Sequence, residues 1–251
     1  MEETTPFDYA FMVADGLKSS GLSIVPLRFK TSAADSCQMN EYLKKYVFSR
    51  TPDWLVLCCG IQDISRQNPK NSGTSPENFK QNLLDILETC RQQQIRVILM
   101  TPPLYTEDPF CLENQTLALY ADIIRETAAT EDIPLADVNR LMLHVVKHKP
   151  YPEQNYLTSD GLHLNARGSI LAATAILQAL HVPKSIIKQS VSNWMSQPDT
   201  VRIPVTLHMS LYDLEKFQTL TSRNGQTEEA WVNKLLQECL NKDATNSKDT
   251  E

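Results

Sequence analysis

Glycine and long apolar runs are both scarce in this chain of 251 residues. Only seven glycines occur beside 41% hydrophobic and 22% charged residues, a composition that excludes collagen-like and low-complexity chains. No apolar run approaches the roughly 18–20 residues of a membrane helix. The acidic, polar start also lacks the basic and then apolar pattern of a secretory signal. These absences predict a cytoplasmic globular protein with a sizeable core.

Metal-binding spacings and an excess of positive charge are missing as well. The six cysteines form no Cys-x-x-Cys pair and no Cys/His spacing of a zinc site. Because Cys58 and Cys59 lie inside an apolar run, we expect reduced thiols that fill the core, with no metal and no cofactor. The net charge of −6 argues against the uniformly basic surface that non-specific nucleic-acid binding needs.

Apolar periodicity alternates between strand-like and helix-like segments. Strands are predicted over 22–29, 53–60, 95–100 and 133–137, and helices over 7–21, 36–48, 76–94, 112–130, 138–147 and 165–181. The continuous apolar run 53–60 predicts a strand buried on both faces. The alternation predicts an α/β fold, a three-layer α/β/α sandwich with a mostly parallel sheet of the flavodoxin-like kind. In such sheets the working residues lie at the carboxyl ends of the strands.

The segment Asp160-Gly-Leu-His163-Leu-Asn-Ala-Arg-Gly168 stands directly before a long predicted helix. It places a carboxylate three residues ahead of an imidazole. An acid so close to a histidine can fix its tautomer and stabilise the imidazolium during proton transfer. The same spacing also fits a helix cap with a chance histidine nearby, and the short pattern alone leaves both interpretations open.

Together with Gly60-Ile-Gln62-Asp63 after the strand 53–60, this segment resembles the SGNH hydrolases, also called GDSL esterases and lipases, over about residues 7–183. The resemblance implies a three-layer α/β/α fold and hydrolysis of acyl or acetyl esters of small molecules or carbohydrates. It assigns Asp160 and His163 to catalysis, the Ala33 N–H and Gln62 to the oxyanion hole, and supporting roles to Gly60 and Asp63.

Three positions depart from the family pattern. Gln62 stands where the family has asparagine, so its amide lies one methylene further from the backbone, whereas Ala33 replaces a glycine but keeps the backbone N–H donor. The family's opening Gly-Asp-Ser block occurs nowhere in the chain, so the nucleophilic serine is not identified. One alignment places that block upstream of Met1. A second takes residues 9–13 as the first strand and aligns residues 14–17 with the block, but leaves about five residues before the next strand, too few for a parallel crossover of about ten.

The missing block has two explanations. The natural protein begins upstream of Met1, or the remaining strands close up in a non-hydrolytic derivative, although the family strand order 2-1-3-4-5 makes the missing strand internal. Four other serines are candidates for a displaced nucleophile, although each fits better as a loop residue: Ser19, Ser20, Ser32 and Ser36. The alternative function is therefore a catalytically inactive SGNH-fold protein that binds a ligand or acts as a scaffold.

The C-terminal residues follow a different pattern. An alternating strand is predicted over 202–210, and helices over 211–223 and 227–240. This order resembles the ribbon-helix-helix fold, whose strands pair between two chains. Four basic and five acidic residues between Val201 and Leu240 match phosphates poorly, so we expect a homo-oligomer first and DNA binding second.

The expected organisation follows from these patterns. It comprises an SGNH-like domain over 1–186, a linker over 187–200, a ribbon-helix-helix-like module over 201–241 and a disordered tail over 242–251.

Overall fold

The structure is a computed structural model, and it describes residues 8–27, 34–64, 73–149, 155–197 and 207–246. Contacts between residues divide the chain into two compact units, Met1–Val201 and Arg202–Glu251. Each unit has its own helices.

A parallel sheet forms the centre of the first unit. Its strands are β1 (Trp54–Cys58), β2 (Arg96–Met100) and β3 (Leu135–Ala136), in the order β1-β2-β3. The register pairs Leu57 with Leu99, and Leu99 with Leu135. Apolar runs without proline suit such central strands. The predicted α/β fold with a parallel sheet is confirmed.

Helices connect and flank the strands. They are α1 (Tyr9–Ser19), α2 (Ser36–Tyr42), α3 (Pro76–Gln92), α4 (Leu112–Thr130), α5 (Val138–Lys147), α6 (Ala166–Ala179) and α7 (Lys184–Met195). A π-helical turn and a 3₁₀ turn extend α2 to Arg50. The six helices predicted up to residue 181 are confirmed to within a residue or two at most ends. Within the described ranges, no helix is both long and apolar enough to cross a bilayer.

The helices cover β2 from both sides. Ile98 and Met100 pack with residues of α1, α5, α6 and α7, whereas Leu99 packs with residues of α2, α3 and α4. Successive side chains of a strand point to opposite faces, so these two clusters are separate layers. The arrangement is a three-layer α/β/α sandwich.

Strand β1 and the segment before it depart from prediction. Leu57 is buried, but Trp54 and Val56 are 39% and 36% exposed, so β1 is not buried on both faces. Residues 22–27 form no strand, and Val25 is 82% exposed; residues 28–29 lie outside the described ranges. A strand needs a hydrogen-bonded neighbour, and within the described ranges the only strand paired with β1 is β2.

The predicted linker over 187–200 is also corrected, because helix α7 occupies its first part. Ile187 and Trp194 of α7 are buried, and Trp194 Nε1 donates to Asp15 Oδ2 of α1 at 2.8 Å. Ile187 and Trp194 are seven residues, or two helical turns, apart and so lie on one face of α7. The polar residues between them hide this apolar period in the sequence. Residues 198–200 lie outside the described ranges.

The second unit contains helices α8 (Leu211–Arg223) and α9 (Glu228–Asn246), as predicted. Side-chain oxygens cap both: Ser210 Oγ accepts the Asp213 N–H at 3.1 Å, and Thr227 Oγ1 accepts the Ala230 N–H at 3.2 Å. Two boundaries differ from prediction. Residues 207–210 form no strand, since nothing in the described ranges pairs with them, and 202–206 lie outside those ranges. Helix α9 runs on to Asn246, into the predicted tail, because no glycine or proline interrupts it.

Candidate functional site

The residues Asp160 and His163 lie on a tight loop that we call the Asp–His loop, residues 158–164. An antiparallel bridge between Thr158 and Leu164 closes its neck, and the Ser159 N–H donates to the His163 carbonyl at 2.9 Å. Gly161 at the tip has φ +89°, in the left-handed region that glycine adopts without strain. The backbone is therefore folded back so that both side chains emerge from one short turn.

The two side chains are hydrogen-bonded to each other. His163 Nδ1 lies 2.7 Å from Asp160 Oδ2, while Asp160 Oδ1 accepts the His163 N–H at 2.7 Å and the Leu162 N–H at 2.9 Å. These hydrogen bonds from His163 and Leu162 hold the pKa of Asp160 far below its usual value. An ionised Asp160 favours the proton on Nδ1, which leaves Nε2 able to accept another. Both side chains are more than half exposed, so a solute can reach them.

The start of helix α6 fixes one side of the Asp–His loop. Asn165 caps α6 through Oδ1, which accepts the Gly168 N–H at 3.1 Å, and its Nδ2 donates to the carbonyls of Tyr156 and Thr158, each at 3.1 Å. A Cβ on Gly168 would lie 2.2 Å from the Leu157 carbonyl oxygen. Only glycine permits this approach of helix and loop.

A residue that sequence reasoning missed, Glu107, fixes the other side. Its carboxylate accepts the N–H groups of Tyr156 at 2.7 Å, Leu157 at 2.6 Å and Thr158 at 2.8 Å, as well as the Thr158 hydroxyl at 2.9 Å. Lys149 Nζ lies 3.4 Å away. Burial alone would raise the pKa of Glu107, but these hydrogen bonds outweigh it and the pKa falls below its usual value. A single glutamate in a polar loop carries no sequence signal for such a role.

The loop after β1 carries Gly60 and Asp63. Gly60 has φ +123°, and a Cβ there would lie 3.3 Å from Pro102 Cγ. Asp63 is 1% exposed and accepts the Ser36 N–H at 3.1 Å and its hydroxyl at 2.5 Å. Asn82 Nδ2 donates to the same hydroxyl at 2.9 Å. Asp63 thus fastens the loop after β1 to the start of α2, and the buried Ser36 is unavailable as a nucleophile.

Of the two expected oxyanion donors, the structure describes Gln62. Gln62 is half-buried between Ile61 and Asp63, and among the described residues no hydrogen bond joins it to Asp160 or His163. Ala33 lies outside the described residues. The structure therefore brings together the Asp–His pair, and the oxyanion hole formed by the Ala33 N–H and Gln62 stays a prediction.

The loop after β2 lies beside both other loops. It contacts Gly60 through Pro102, and a Cβ on Gly161 would lie 3.7 Å from Thr106 Cγ2. The three loops follow the carboxyl ends of β1 and β2 and precede α6, as expected for the working edge of a parallel sheet.

The remaining candidates for the nucleophile are limited. Ser20 Oγ donates to the Leu17 carbonyl at 2.6 Å, Ser19 is exposed at the end of α1, and Ser32 lies outside the described residues. The alternative alignment of residues 9–17 as a strand and nucleophile loop is wrong, because helix α1 occupies them.

Cysteine and metal chemistry find little support in the described residues. Burial raises the pKa of Cys58 to about 12 and that of Cys90 to about 11, so these thiols are poor nucleophiles. No group of three histidines, cysteines or carboxylates in the described ranges converges on a metal position.

Comparisons with known proteins agree with this geometry. Residues 20–169 match the sequence profile of the GDSL-like Lipase/Acylhydrolase family. A comparison with functionally curated proteins gave no match.

Similar solved structures include three esterases or hydrolases. The acetylxylan esterase Axe2 from Geobacillus stearothermophilus is 21% identical with a TM-score of 0.61, over 69% of this chain and 80% of that one. The acetyl xylan esterase AlAXEase is 23% identical with a TM-score of 0.60, over 70% and 92%. The α/β hydrolase LAE5 from the metagenome of Lake Arreo, Spain, is 22% identical with a TM-score of 0.59, over 70% and 82%.

These identities show a shared fold, and the matched residues 20–169 span more than half of the chain and include both Gly60–Asp63 and the Asp–His loop. The chain therefore belongs to the GDSL-like lipase/acylhydrolase family of ester hydrolases.

Proposed function

We propose that the protein hydrolyses acyl or acetyl esters, with His163 as the general base and Asp160 as its partner. The observation that carries the proposal is the 2.7 Å hydrogen bond between His163 Nδ1 and the ionised Asp160 carboxylate, on an exposed loop of a chain that belongs to an ester-hydrolase family. Two of the similar structures are acetyl xylan esterases, which favours an acetyl group on a carbohydrate as the substrate class.

The proton transfers follow from the orientation of the imidazole. His163 Nε2 takes the proton of the attacking hydroxyl as its oxygen bonds to the ester carbonyl carbon. Asp160 stabilises the resulting imidazolium without itself becoming protonated. The tetrahedral intermediate then collapses, the C–O bond to the alcohol breaks, and the imidazolium gives its proton to the departing oxygen. Where the attacking hydroxyl is water, this step releases the acid; where it belongs to a serine, water attacks the acyl-enzyme with His163 again as the base, and the bond from the acyl carbon to the serine oxygen breaks to release the acid.

The developing oxyanion needs donors. In this proposal they are the Ala33 backbone N–H and the Gln62 side-chain amide. Gln62 is one methylene longer than the family's asparagine, and a misplacement of about 1 Å can reduce a rate about a hundredfold. We therefore expect a slow enzyme, and Gln62→Asn is the substitution that would improve it.

The attacking hydroxyl is not assigned to a residue, because Gly-Asp-Ser is absent from the sequence. A fluorophosphonate probe, which bonds covalently to activated serines, addresses this directly. Protein purified from its natural source would be labelled, digested and sequenced by mass spectrometry. The labelled peptide identifies the serine, whereas turnover without any label identifies water as the attacking group.

The decisive experiment is hydrolysis of p-nitrophenyl acetate and of acetylated xylooligosaccharides. We expect His163→Ala to reduce kcat by at least about a hundredfold, because the base is lost. His144→Ala, at an exposed histidine of α5, should leave kcat unchanged. Equal activity of the His163→Ala variant and the unaltered protein would overturn the proposal.

A second candidate function is ligand binding or scaffolding without catalysis. The missing Gly-Asp-Ser block and Gln62 in place of asparagine favour it. Calorimetric binding of an acetylated xylooligosaccharide, with no acetate released over hours, would support this function against hydrolysis.

The second unit is the part of the chain that we expect to bind a second copy of the protein. We propose that helices α8 and α9 mediate homo-oligomerisation, since most of their apolar side chains are exposed, including Leu211, Leu236 and Leu240. DNA binding is the weaker alternative, because acidic residues outnumber basic ones between Val201 and Leu240. A mobility-shift titration at low salt that shows no complex would exclude DNA.

A further inference from the structure

We propose that Glu107 is a positioning residue that sets the geometry of the Asp160–His163 pair. This inference rests on the proposed function, since positioning matters for catalysis only if His163 acts as the base. Glu107 does not touch the pair. It acts through the backbone of residues 156–158, which leads into the Asp–His loop.

The contacts of Glu107 concentrate on that backbone. Three successive N–H groups, those of Tyr156, Leu157 and Thr158, point at one carboxylate. Glu107 Oε1 also accepts the Thr158 hydroxyl. Thr158 is the residue whose bridge to Leu164 closes the neck of the Asp–His loop. Moving this backbone therefore moves Asp160, two residues further on.

Glu107 is itself held in place. It lies in the loop after β2, and Asn114 in the first turn of α4 organises that loop. Asn114 Oδ1 accepts the Tyr105 N–H at 2.9 Å, and its Nδ2 donates to the carbonyls of Thr106 at 3.1 Å and Asp108 at 2.7 Å. The Asn114 side chain is buried. Helix α4 thus holds the backbone on both sides of Glu107, whose carboxylate in turn holds the segment that leads into the Asp–His loop.

The site requires a carboxylate rather than an amide. Oε2 of Glu107 faces two donors, the Tyr156 N–H at 2.7 Å and Lys149 Nζ at 3.4 Å. Oε1 faces three, from Leu157 and Thr158. Whichever way a glutamine amide is turned, its NH₂ group would face a donor. Glu107→Gln keeps the shape of the side chain and should loosen the segment that it holds.

The test separates positioning from mere structural support. Ring ¹⁵N spectra of uniformly ¹⁵N-labelled full-length protein report which nitrogen of each histidine carries the proton. The signals of His163 are identified by their loss in His163→Ala. We expect the unaltered protein to show the Nδ1-protonated tautomer at His163, and Glu107→Gln to show a mixture of tautomers. Glu41→Gln, an exposed glutamate of α2, is the matched control and should change nothing.

Kinetics provide the second measurement. On p-nitrophenyl acetate we expect Glu107→Gln to lower kcat about tenfold to a hundredfold, with KM changed less than about twofold, because substrate contacts are untouched. Thr158→Val removes one donor to Glu107 and serves as the milder variant if Glu107→Gln does not fold. It should shift the tautomer and kcat in the same direction.

The outcomes are distinguishable. A folded Glu107→Gln or Thr158→Val variant with an unchanged His163 tautomer overturns the positioning role, even if its thermal stability falls. A changed tautomer supports positioning even when the unaltered protein hydrolyses no ester, in which case only the proposed function fails.

Discussion

The carboxylates of Asp160 and Glu107 differ in how far along the chain their hydrogen-bond donors lie. Among the described residues, Asp160 accepts hydrogen bonds from residues two and three positions further along the chain, so local spacing together with the family resemblance predicted its pairing with His163. Glu107 accepts from Leu157, fifty residues away, and no local pattern predicts such a contact. The residue that sequence reasoning missed is the one whose partners are distant.

The stability that Glu107 contributes should depend on pH. Its pKa is lower in the folded chain than the ordinary 4.5, so its contribution is complete above about pH 4.5 and is lost as the pH falls below it. At pH 7 we expect Glu107→Gln to lower the free energy of unfolding by about 1–3 kcal/mol, because N–H groups lose their acceptor. Denaturant unfolding at several pH values measures this. A difference that persists undiminished at pH 2–3 would contradict the assignment.

Two helical glycines form a matched pair for a second prediction. Gly168→Ala places Cβ 2.2 Å from the Leu157 carbonyl oxygen, which belongs to the backbone, whereas Gly16→Ala places it 2.5 Å from the flexible end of the Leu177 side chain. We expect Gly168→Ala to cost about 1–3 kcal/mol or more and to disturb the Asp–His loop, and Gly16→Ala to cost less. Unfolding curves and esterase rates of both variants check this, and equal effects would contradict it.

At the scale of elements, the helices with a clear apolar period and a capping residue were predicted well, and the two segments wrongly predicted as strands share one cause. Residues 22–27 and 207–210 have apolar side chains suited to strands but no strand in the described ranges beside them. Helix formation is satisfied within the segment, whereas a strand is completed only by a neighbour. Helix α7 was missed for a different reason, since only Ile187, Ser190 and Trp194 of it are buried.

The packing of α7 provides a prediction at this scale. Trp194 is 5% exposed and joins α7 to α1 through Asp15. We expect Trp194→Ala to lower the free energy of unfolding by about 3–5 kcal/mol, and Trp194→Phe to lower it by about 1 kcal/mol through the lost hydrogen bond. The adjacent Met195 is 70% exposed, and Met195→Ala should change stability by less than about 0.5 kcal/mol. Similar stabilities for all three variants would contradict the packing of α7 on α1 and would favour the linker predicted over 187–200.

At the scale of the whole molecule, the chain consists of two compact units that bury their apolar residues to very different extents. The first unit has two buried clusters around the sheet. In the second unit, Thr221 is the buried residue among the described side chains, and eight large apolar side chains from Leu207 onward are exposed. A unit with so little core of its own is typical of a segment that is stabilised by association.

Self-association through α9 is testable in the full-length protein. Leu236 and Leu240 lie four residues apart, on one face of α9. We expect the unaltered protein to sediment as a dimer, and Leu236→Lys combined with Leu240→Lys to sediment as a monomer. The matched control is Glu238→Lys, which changes the charge by the same two units on the opposite face of α9, because the exposed Glu238 lies two residues from each leucine. Sedimentation velocity over a range of concentrations measures this, and a monomeric unaltered protein would exclude the dimer.

The sequence by itself determined what depends on near neighbours and on composition: the alternation of helices and strands, the parallel α/β class, and the meeting of Asp160 with His163 across three residues. Tertiary structure decided what depends on distant partners. It left one face of β1 exposed at Trp54 and Val56, folded α7 onto α1, tied Asp63 to Ser36, and brought Glu107 to the Asp–His loop. The physical reason is that local hydrogen bonds follow from chain spacing, whereas burial and long-range hydrogen bonds exist only once separate elements have packed.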